Sequence, residues 1–122
     1  MLGLLDEIAD YLPPESFVPS PGQGCVAVEC RDDDRDVIHA LAAIDHAPTR
    51  RVVSVERAFL AELGSGCSLP VGAHAAEHLL TAFLGEAGGT RHSIESVDLP
   101  DETDRATAIA ADLARAMHQR LR

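Results

Sequence analysis

The stretch Gly64-Ser65-Gly66-Cys67-Ser68-Leu69-Pro70-Val71-Gly72-Ala73 joins a segment with helical periodicity to a segment with strand-like alternation. Gly64 can take the left-handed conformation that closes a helix, Gly66 leaves room beside the thiol, and Pro70 directs the chain into an extended exit. Most single cysteines in such surroundings are inert small hydrophobic residues. This loop nevertheless displays one sulfur among small residues, so Cys67 is the candidate for chemistry.

The composition is that of a globular chain with an aliphatic core. Of 122 residues, 46% are hydrophobic but only 3% are aromatic, and the net charge is −10. Such a surface repels polyanions, so we expect no nucleic-acid partner. The 3 cysteines cannot all pair, and the sequence shows neither a leader nor a long apolar span. We therefore expect a cytoplasmic protein that does not associate with a membrane.

Metal binding is disfavoured by the spacing of the candidate ligands. Cys25 and Cys30 are separated by four residues rather than two, and the 6 histidines are scattered, so the indication of a zinc site is weak. His74 and His78 would share a helical face, but their segment has a strand pattern. The run 32–34 of aspartates lacks the later ligands and the glycine of a calcium loop, and it suits a helix N-terminus instead. We expect no metal site.

Residues 1–31 have the pattern of a helix, a connector and a strand. The predicted helix covers 2–12, stops at Pro13-Pro14, and carries an apolar stripe of Leu4, Leu5, Ile8 and Leu12. The connector 17–24 contains two prolines and two glycines, which favour an ordered turn. Residues 25–30 form a nearly unbroken apolar run that predicts a buried strand, yet no neighbouring strand is predicted beside it. We interpret 1–31 as the tail of one or more preceding domains.

The remainder predicts an α+β fold, a small three-stranded antiparallel sheet covered by helices. The first helix follows the aspartate run and buries a stripe of Val37, Ile38, Leu41 and Ile44. The second starts at Pro48-Thr49, with Thr49 as a candidate N-cap, and has a seam of Val52, Val55, Phe59 and Leu63. Glu56 and Arg57 lie between these positions, as a surface ion pair or as a link to a neighbouring element.

The predicted strands lie at 71–76, 78–85 and 91–98, with a glycine-rich turn at 85–89. A last helix begins in the acidic stretch 100–104 and should cover one face of the sheet. Its predicted apolar stripe comprises Ala106, Ile109, Ala110, Leu113, Met117 and Leu121.

Three stretches occur together in one order. They are Pro21-Gly22-Gln23-Gly24 followed by Val26-Ala27-Val28-Glu29-Cys30-Arg31, then Val55-Glu56-Arg57-Ala58-Phe59-Leu60, then Gly66-Cys67-Ser68-Leu69-Pro70-Val71-Gly72-Ala73. Together they resemble the porphobilinogen deaminase family, also called hydroxymethylbilane synthase, over residues 2–122. Ser65 stands where the family usually has glycine.

The resemblance implies a transferase that joins four porphobilinogen units into hydroxymethylbilane with release of ammonia, on a dipyrromethane primer. Cys67 matches the residue that carries this cofactor through a thioether, and Gly66 and Ser68 flank it in the cofactor site. Residues 32–122 then form the C-terminal cofactor-binding domain. A thiol is a strong nucleophile near neutral pH, and a thioether survives a reducing cytoplasm.

The resemblance also implies parts that have no match in this chain. The family's catalytic aspartate and the arginines that hold the substrate carboxylates lie in preceding domains, so we expect no catalytic residue here. Those domains would act in cis or in trans, and the isolated chain should be inactive. Two alternatives remain: a non-catalytic binding or assembly module whose strand 25–30 pairs with another copy or with another protein, and an inactive truncated domain.

Overall fold

The structure, a computed structural model, describes residues 4–64 and 69–121. The helices in these ranges are α1 (Arg35–Ala42), α2 (Ala47–Glu62) and α3 (Thr103–Leu121), and the strands are β1 (Val71–Ala75), β2 (Leu79–Gly85) and β3 (His92–Asp98). All strand pairs are antiparallel, and the order is β1-β2-β3. The predicted α+β class with a small three-stranded sheet is confirmed.

The sheet presents one face to the helices. Ala73 pairs with Ala82, and Ala82 pairs with Glu95, so these three residues lie in one row across the sheet. Side chains alternate between the two faces of a strand, and Leu80 and Leu84 therefore share the buried face with Ala82. The core lies between this face and α2 and α3.

Helices α2 and α3 close the core with different side chains. Val55 and Phe59 of α2 are fully buried, which confirms the centre of the predicted seam, and Val52 and Leu63 are partly buried beside them. The buried residues of α3 are small except for Met117; they are Ala106, Ala110, Ala114 and Met117. Small side chains let α3 approach α2 and the sheet closely, which suits a core with few aromatic residues.

The helix caps partly follow the predictions. Asp34 caps α1, since its Oδ1 accepts a hydrogen bond from the Val37 N–H at 3.1 Å. The prediction that Thr49 caps α2 is wrong, because α2 begins two residues earlier. His46 occupies the cap, and its Nδ1 accepts from the Thr49 N–H at 3.3 Å. Pro48 lies in the first turn, where its missing N–H costs no helical hydrogen bond.

The predicted helix over 2–12 is wrong. Between residues 4 and 12, only a short 3₁₀ turn at Leu5–Glu7 forms, and the four stripe residues are 44–65% exposed. A short amphipathic helix is marginal unless its apolar side packs against something. No element in the described ranges packs against this apolar stripe, so the segment does not form the predicted helix.

The predicted buried strand at 25–30 is also wrong. These residues belong to no strand of the described sheet, and Val26 and Val28 are 87% and 56% exposed.

Helix α1 forms, but its stripe is not buried: Val37 and Ile38 are 39% and 40% exposed and Ile44 is 68% exposed. The apolar side chains of residues 4–44 are thus spaced as if for burial, but the described part of the chain does not bury them.

Candidate functional site

The candidate loop is defined by its two ends, because Gly66, Cys67 and Ser68 lie outside the described residues. At the entry, Leu63 caps α2 in a helical conformation, and Gly64 follows with a φ of 77°. The Gly64 N–H donates to the Ala61 carbonyl at 3.1 Å. The predicted left-handed glycine that ends the helix is confirmed, and only glycine adopts this conformation without strain.

The exit of the loop is attached to the end of β2. The Pro70 carbonyl accepts a hydrogen bond from the Gly85 N–H at 2.8 Å, and Leu69 packs against the core. A Cβ added at Gly85 would lie 3.2 Å from the Pro70 Cβ, so the small residue allows the proline ring to lie against the strand. The chain therefore enters β1 at a fixed position.

A cavity of about 280 Å³ lies beside the entry of the loop, between the end of α2 and the last turns of α3. Its cation is Arg115, whose Nε lies 3.0 Å from Glu62 Oε1 and whose Nη1 lies 2.7 Å from Asp112 Oδ1. The hydrogen bond that Arg115 donates to Glu62, followed by the one that it donates to Asp112, raises the pKa of Arg115 above its usual value. A cation near the C-terminus of α2 is favourable, but the guanidinium of Arg115 already contacts two carboxylates. The cavity is lined by Glu62, Leu63, Gly64, Arg115, His118 and Gln119.

Glu56 lies on α2 and is only 6% exposed. Its Oε1 accepts from the Ala75 N–H at 2.8 Å, and its Oε2 accepts from the Gly22 N–H at 2.7 Å. Of the two interpretations of Glu56 and Arg57, the link to a neighbouring element is confirmed for Glu56, while Arg57 is exposed. The carboxylate joins the connector 17–24 to β1.

Arg51 near the start of α2 is a structural residue that the sequence analysis missed. Its guanidinium donates to the carbonyl oxygens of Glu77, Pro100 and Asp101 at 2.8, 2.6 and 3.2 Å. One side chain thus ties α2 to the β1–β2 turn and to the segment before α3. The acceptors are backbone carbonyls, which leave no trace in the residue types, so no signal in the sequence could have revealed them.

The other candidates add no second site. Cys25 and Cys30 are free thiols, and both are exposed. Among residues 4–64 and 69–121, no group of three or more His, Cys, Asp or Glu side chains could hold a metal ion. The helices in the same ranges are each too short or too polar to cross a membrane.

The fold and the loop define a small α+β domain that carries a cysteine between a helix and an edge strand and to which a preceding connector is docked. Residues 51–119 match the family model "Porphobilinogen deaminase, C-terminal domain". Residues 1–39 match "Porphobilinogen deaminase, dipyromethane cofactor binding domain". The chain belongs to the porphobilinogen deaminase family, as the sequence resemblance predicted.

Individual relatives agree with the family models. Porphobilinogen deaminase 1 of Streptomyces avermitilis is 38% identical over 95% of this chain, and that of Thermobifida fusca is 39% identical over 95%. Porphobilinogen deaminase of Mycobacterium leprae is 54% identical over 59% of this chain. The chain spans 39%, 40% and 23% of the lengths of these relatives, so it corresponds to a part of each.

The two family matches divide the predicted features between them. Cys67 lies within the match to the C-terminal domain. The model whose description names the cofactor covers residues 1–39, which do not include this cysteine. The cofactor thus belongs to the family that the chain matches, whereas the attachment atom remains a prediction from the sequence.

Proposed function

We propose that this chain is the C-terminal portion of hydroxymethylbilane synthase and that its task is to carry the dipyrromethane primer on Cys67. The observation that carries the proposal is the match of residues 51–119 to the C-terminal domain of the family, a range that includes the cysteine loop. In this proposal residues 1–31 are the end of the preceding domains, and 32–122 are the cofactor-carrying domain.

The chemistry proposed for Cys67 is the displacement of an amine by a thiol. The carbon–nitrogen bond of the aminomethyl group of porphobilinogen breaks, a carbon–sulfur bond to Cys67 forms, and the amine leaves as ammonia with the thiol proton. A thiol suits this step because it is strongly nucleophilic near neutral pH. Once bound, the dipyrromethane supplies the end to which further pyrrole units are added. A thioether persists in the reducing cytoplasm, where we place the protein.

The residues around the loop fit covalent attachment better than they fit recognition of carboxylates. Cys67 offers the sulfur, and Gly66 and Ser68 are small neighbours. The acetate and propionate groups of the pyrroles need cations, but Arg115 already contacts Glu62 and Asp112. A net charge of −10 also works against gathering a polycarboxylate. We therefore propose that preceding domains, in cis or in trans, supply the catalytic aspartate and the arginines, and that the isolated chain is catalytically silent.

Intact-mass spectrometry tests the attachment. The chain is incubated with porphobilinogen and with the N-terminal portion of the Streptomyces avermitilis relative. We expect a mass increase that corresponds to two linked pyrroles, and a tryptic peptide that places it on Cys67. A chain with Cys25→Ser and Cys30→Ser is the matched control and should be labelled normally, while Cys67→Ser should stay unlabelled. Recovery of activity with an unmodified Cys67 would refute the assignment.

A second candidate function, that of an assembly module, rests on one observation. Residues 25–30 are apolar except for Glu29 and belong to no strand of the described sheet, and Val26 is 87% exposed. Such a segment can add to the edge of another sheet. Analytical ultracentrifugation distinguishes the two, because an assembly module should dimerise in a way that Val26→Glu abolishes, whereas a monomer at high concentration contradicts self-assembly.

A further inference from the structure

The outer edge of β1 is occupied by the connector and by one side chain. In an antiparallel ladder, alternate residues bond to the neighbouring strand, so the N–H groups of Ala73 and Ala75 face away from β2. The Ala73 N–H donates to the Pro19 carbonyl at 2.9 Å, and the Ala75 N–H donates to Glu56 Oε1 at 2.8 Å. These two outward donors are thus paired, so this part of the sheet edge is not free to associate with other chains.

Glu56 also holds the connector itself. Its Oε2 accepts from the N–H of Gly22, a residue with a φ of 75° inside the turn of the connector. The salt bridges found among the described residues do not include Glu56. A buried carboxylate is costly unless hydrogen bonds replace its hydration, and here backbone N–H groups from two separate elements do so.

Gly72 supplies an independent observation of the same contact. A Cβ added there would lie 2.7 Å from the Val18 carbonyl oxygen and 3.1 Å from the Pro19 carbonyl oxygen. Real Cβ atoms essentially never approach another atom this closely, so the connector can lie here only because Gly72 has no side chain. Gly72 and Glu56 both lie far from the connector in the sequence. Gly72 makes room for the docked connector, and Glu56 binds it.

We propose that Glu56 is a positioning residue that fixes the connector 17–24 on the edge of β1. Glu56 lies on α2 and Ala75 lies on β1, and these are the elements that enter and leave the cysteine loop. The connector is the route by which the preceding polypeptide reaches them. Glu56 thereby sets where that polypeptide lies relative to the described ends of the cysteine loop. Its consequence for catalysis rests on the proposed function, whereas the positioning itself does not.

The test replaces Glu56 by glutamine, which keeps the shape but leaves one acceptor oxygen for two N–H donors. Hydrogen exchange at Gly22 should accelerate at least about tenfold, as the loss of a hydrogen bond to a charged group implies. Exchange in α3 should not change, which shows that the core stays folded. Glu62→Gln is the matched control on the same helix, because Glu62 pairs with Arg115 at the surface and should leave Gly22 unchanged.

A distance measurement separates positioning from general stabilisation. Spin labels are placed at Ser20→Cys and Ala108→Cys, in a chain whose three native cysteines are replaced by serine. We expect one narrow distance distribution with Glu56 and a broad one with Glu56→Gln. If the glutamine variant does not fold, Glu56→Asp decides, since its shorter side chain cannot reach both donors.

A narrow, unshifted distribution in a folded Glu56 variant overturns the proposal, as does unchanged exchange at Gly22. The spin-labelled chain lacks Cys67, so it carries no pyrrole. The result is therefore independent of whether Cys67 anchors the cofactor, and failure here leaves the attachment experiment unaffected.

Discussion

Replacing Gly72 with alanine should lift the connector off β1. The added Cβ would lie 2.7 Å from the Val18 carbonyl oxygen, and a backbone atom of this kind cannot rotate away as the end of a side chain can. The connector must therefore move as a unit, which breaks the bond from the Ala73 N–H to the Pro19 carbonyl. The hydrogen bond from Gly22 to Glu56 is three residues further along this segment and should weaken with it.

The expected loss follows from these two bonds. The Pro19 hydrogen bond contributes about 0.5–1.5 kcal/mol, and a bond to a charged acceptor such as Glu56 contributes about 1.5–3 kcal/mol. Alanine also lowers the conformational entropy of the unfolded chain, which offsets about 0.4–1 kcal/mol. We therefore expect the free energy of unfolding of Gly72→Ala to fall by about 1–4 kcal/mol.

Urea unfolding and hydrogen exchange together check this expectation. The exchange of Ala73 and Gly22 should accelerate strongly, while that of the core residue Leu80 should accelerate only as far as the loss of global stability requires. Gly85→Ala is the matched control in the same sheet, because its added Cβ would meet the Pro70 ring at 3.2 Å and not the connector, so Gly22 should stay protected. A Gly72→Ala protein with unchanged stability and a protected Gly22 would refute the close approach of the connector.

Two further predictions concern the core and the surface. Phe59→Ala removes a fully buried ring of α2 and should lower the free energy of unfolding by about 3–5 kcal/mol, whereas Leu60→Ala, at 38% exposure, should cost less than about 1 kcal/mol; equal losses in urea titrations would contradict the assigned core. Arg91 and then Thr90 lower the pKa of Glu86, so the stabilisation is complete above the ordinary glutamate pKa of about 4.3 and is lost as the pH falls through the lowered native value. Between pH 7 and pH 3, the free energy of unfolding should therefore fall further for the parent protein than for Glu86→Gln. Parallel curves would contradict the interaction between Glu86 and Arg91.

The elements that the sequence predicts correctly are those whose periodicity is satisfied within the chain. The seam of α2 packs on the sheet and α3, so Val55 and Phe59 are buried as their spacing indicates. The strands follow because each has a neighbour and a covered face. Residues 2–12 and 25–30 have equally clear patterns, yet neither is covered within the described ranges. A periodic pattern reports which side chains need burial, not whether a partner is present.

The details of the site depend on groups that residue types do not reveal. The partners of Glu56 and Arg51 are backbone N–H and carbonyl groups, which every residue except proline carries in full. Residue spacing alone could therefore not decide whether Glu56 forms a surface ion pair or links α2 to a neighbouring element. Thr49 failed as a cap because α2 already begins at Ala47 and His46 accepts the Thr49 N–H, and histidine is not among the common capping residues. Side-chain patterns are thus predictable, whereas side-chain contacts with the backbone are predictable only where a common capping residue such as Asp34 makes them.

The charges around the candidate loop indicate a division of labour within the proposed enzyme. Cys67 follows a helix C-terminus in the sequence, and the partial negative charge of such a terminus opposes thiolate formation. Arg115 could offset it, but Glu62 and Asp112 both engage its guanidinium. The described surroundings thus fix the ends of the loop without making it cationic. Under the proposed function, this chain therefore contributes the anchor, and the cations that activate the thiol and hold the carboxylates come from the preceding domains of the proposed enzyme.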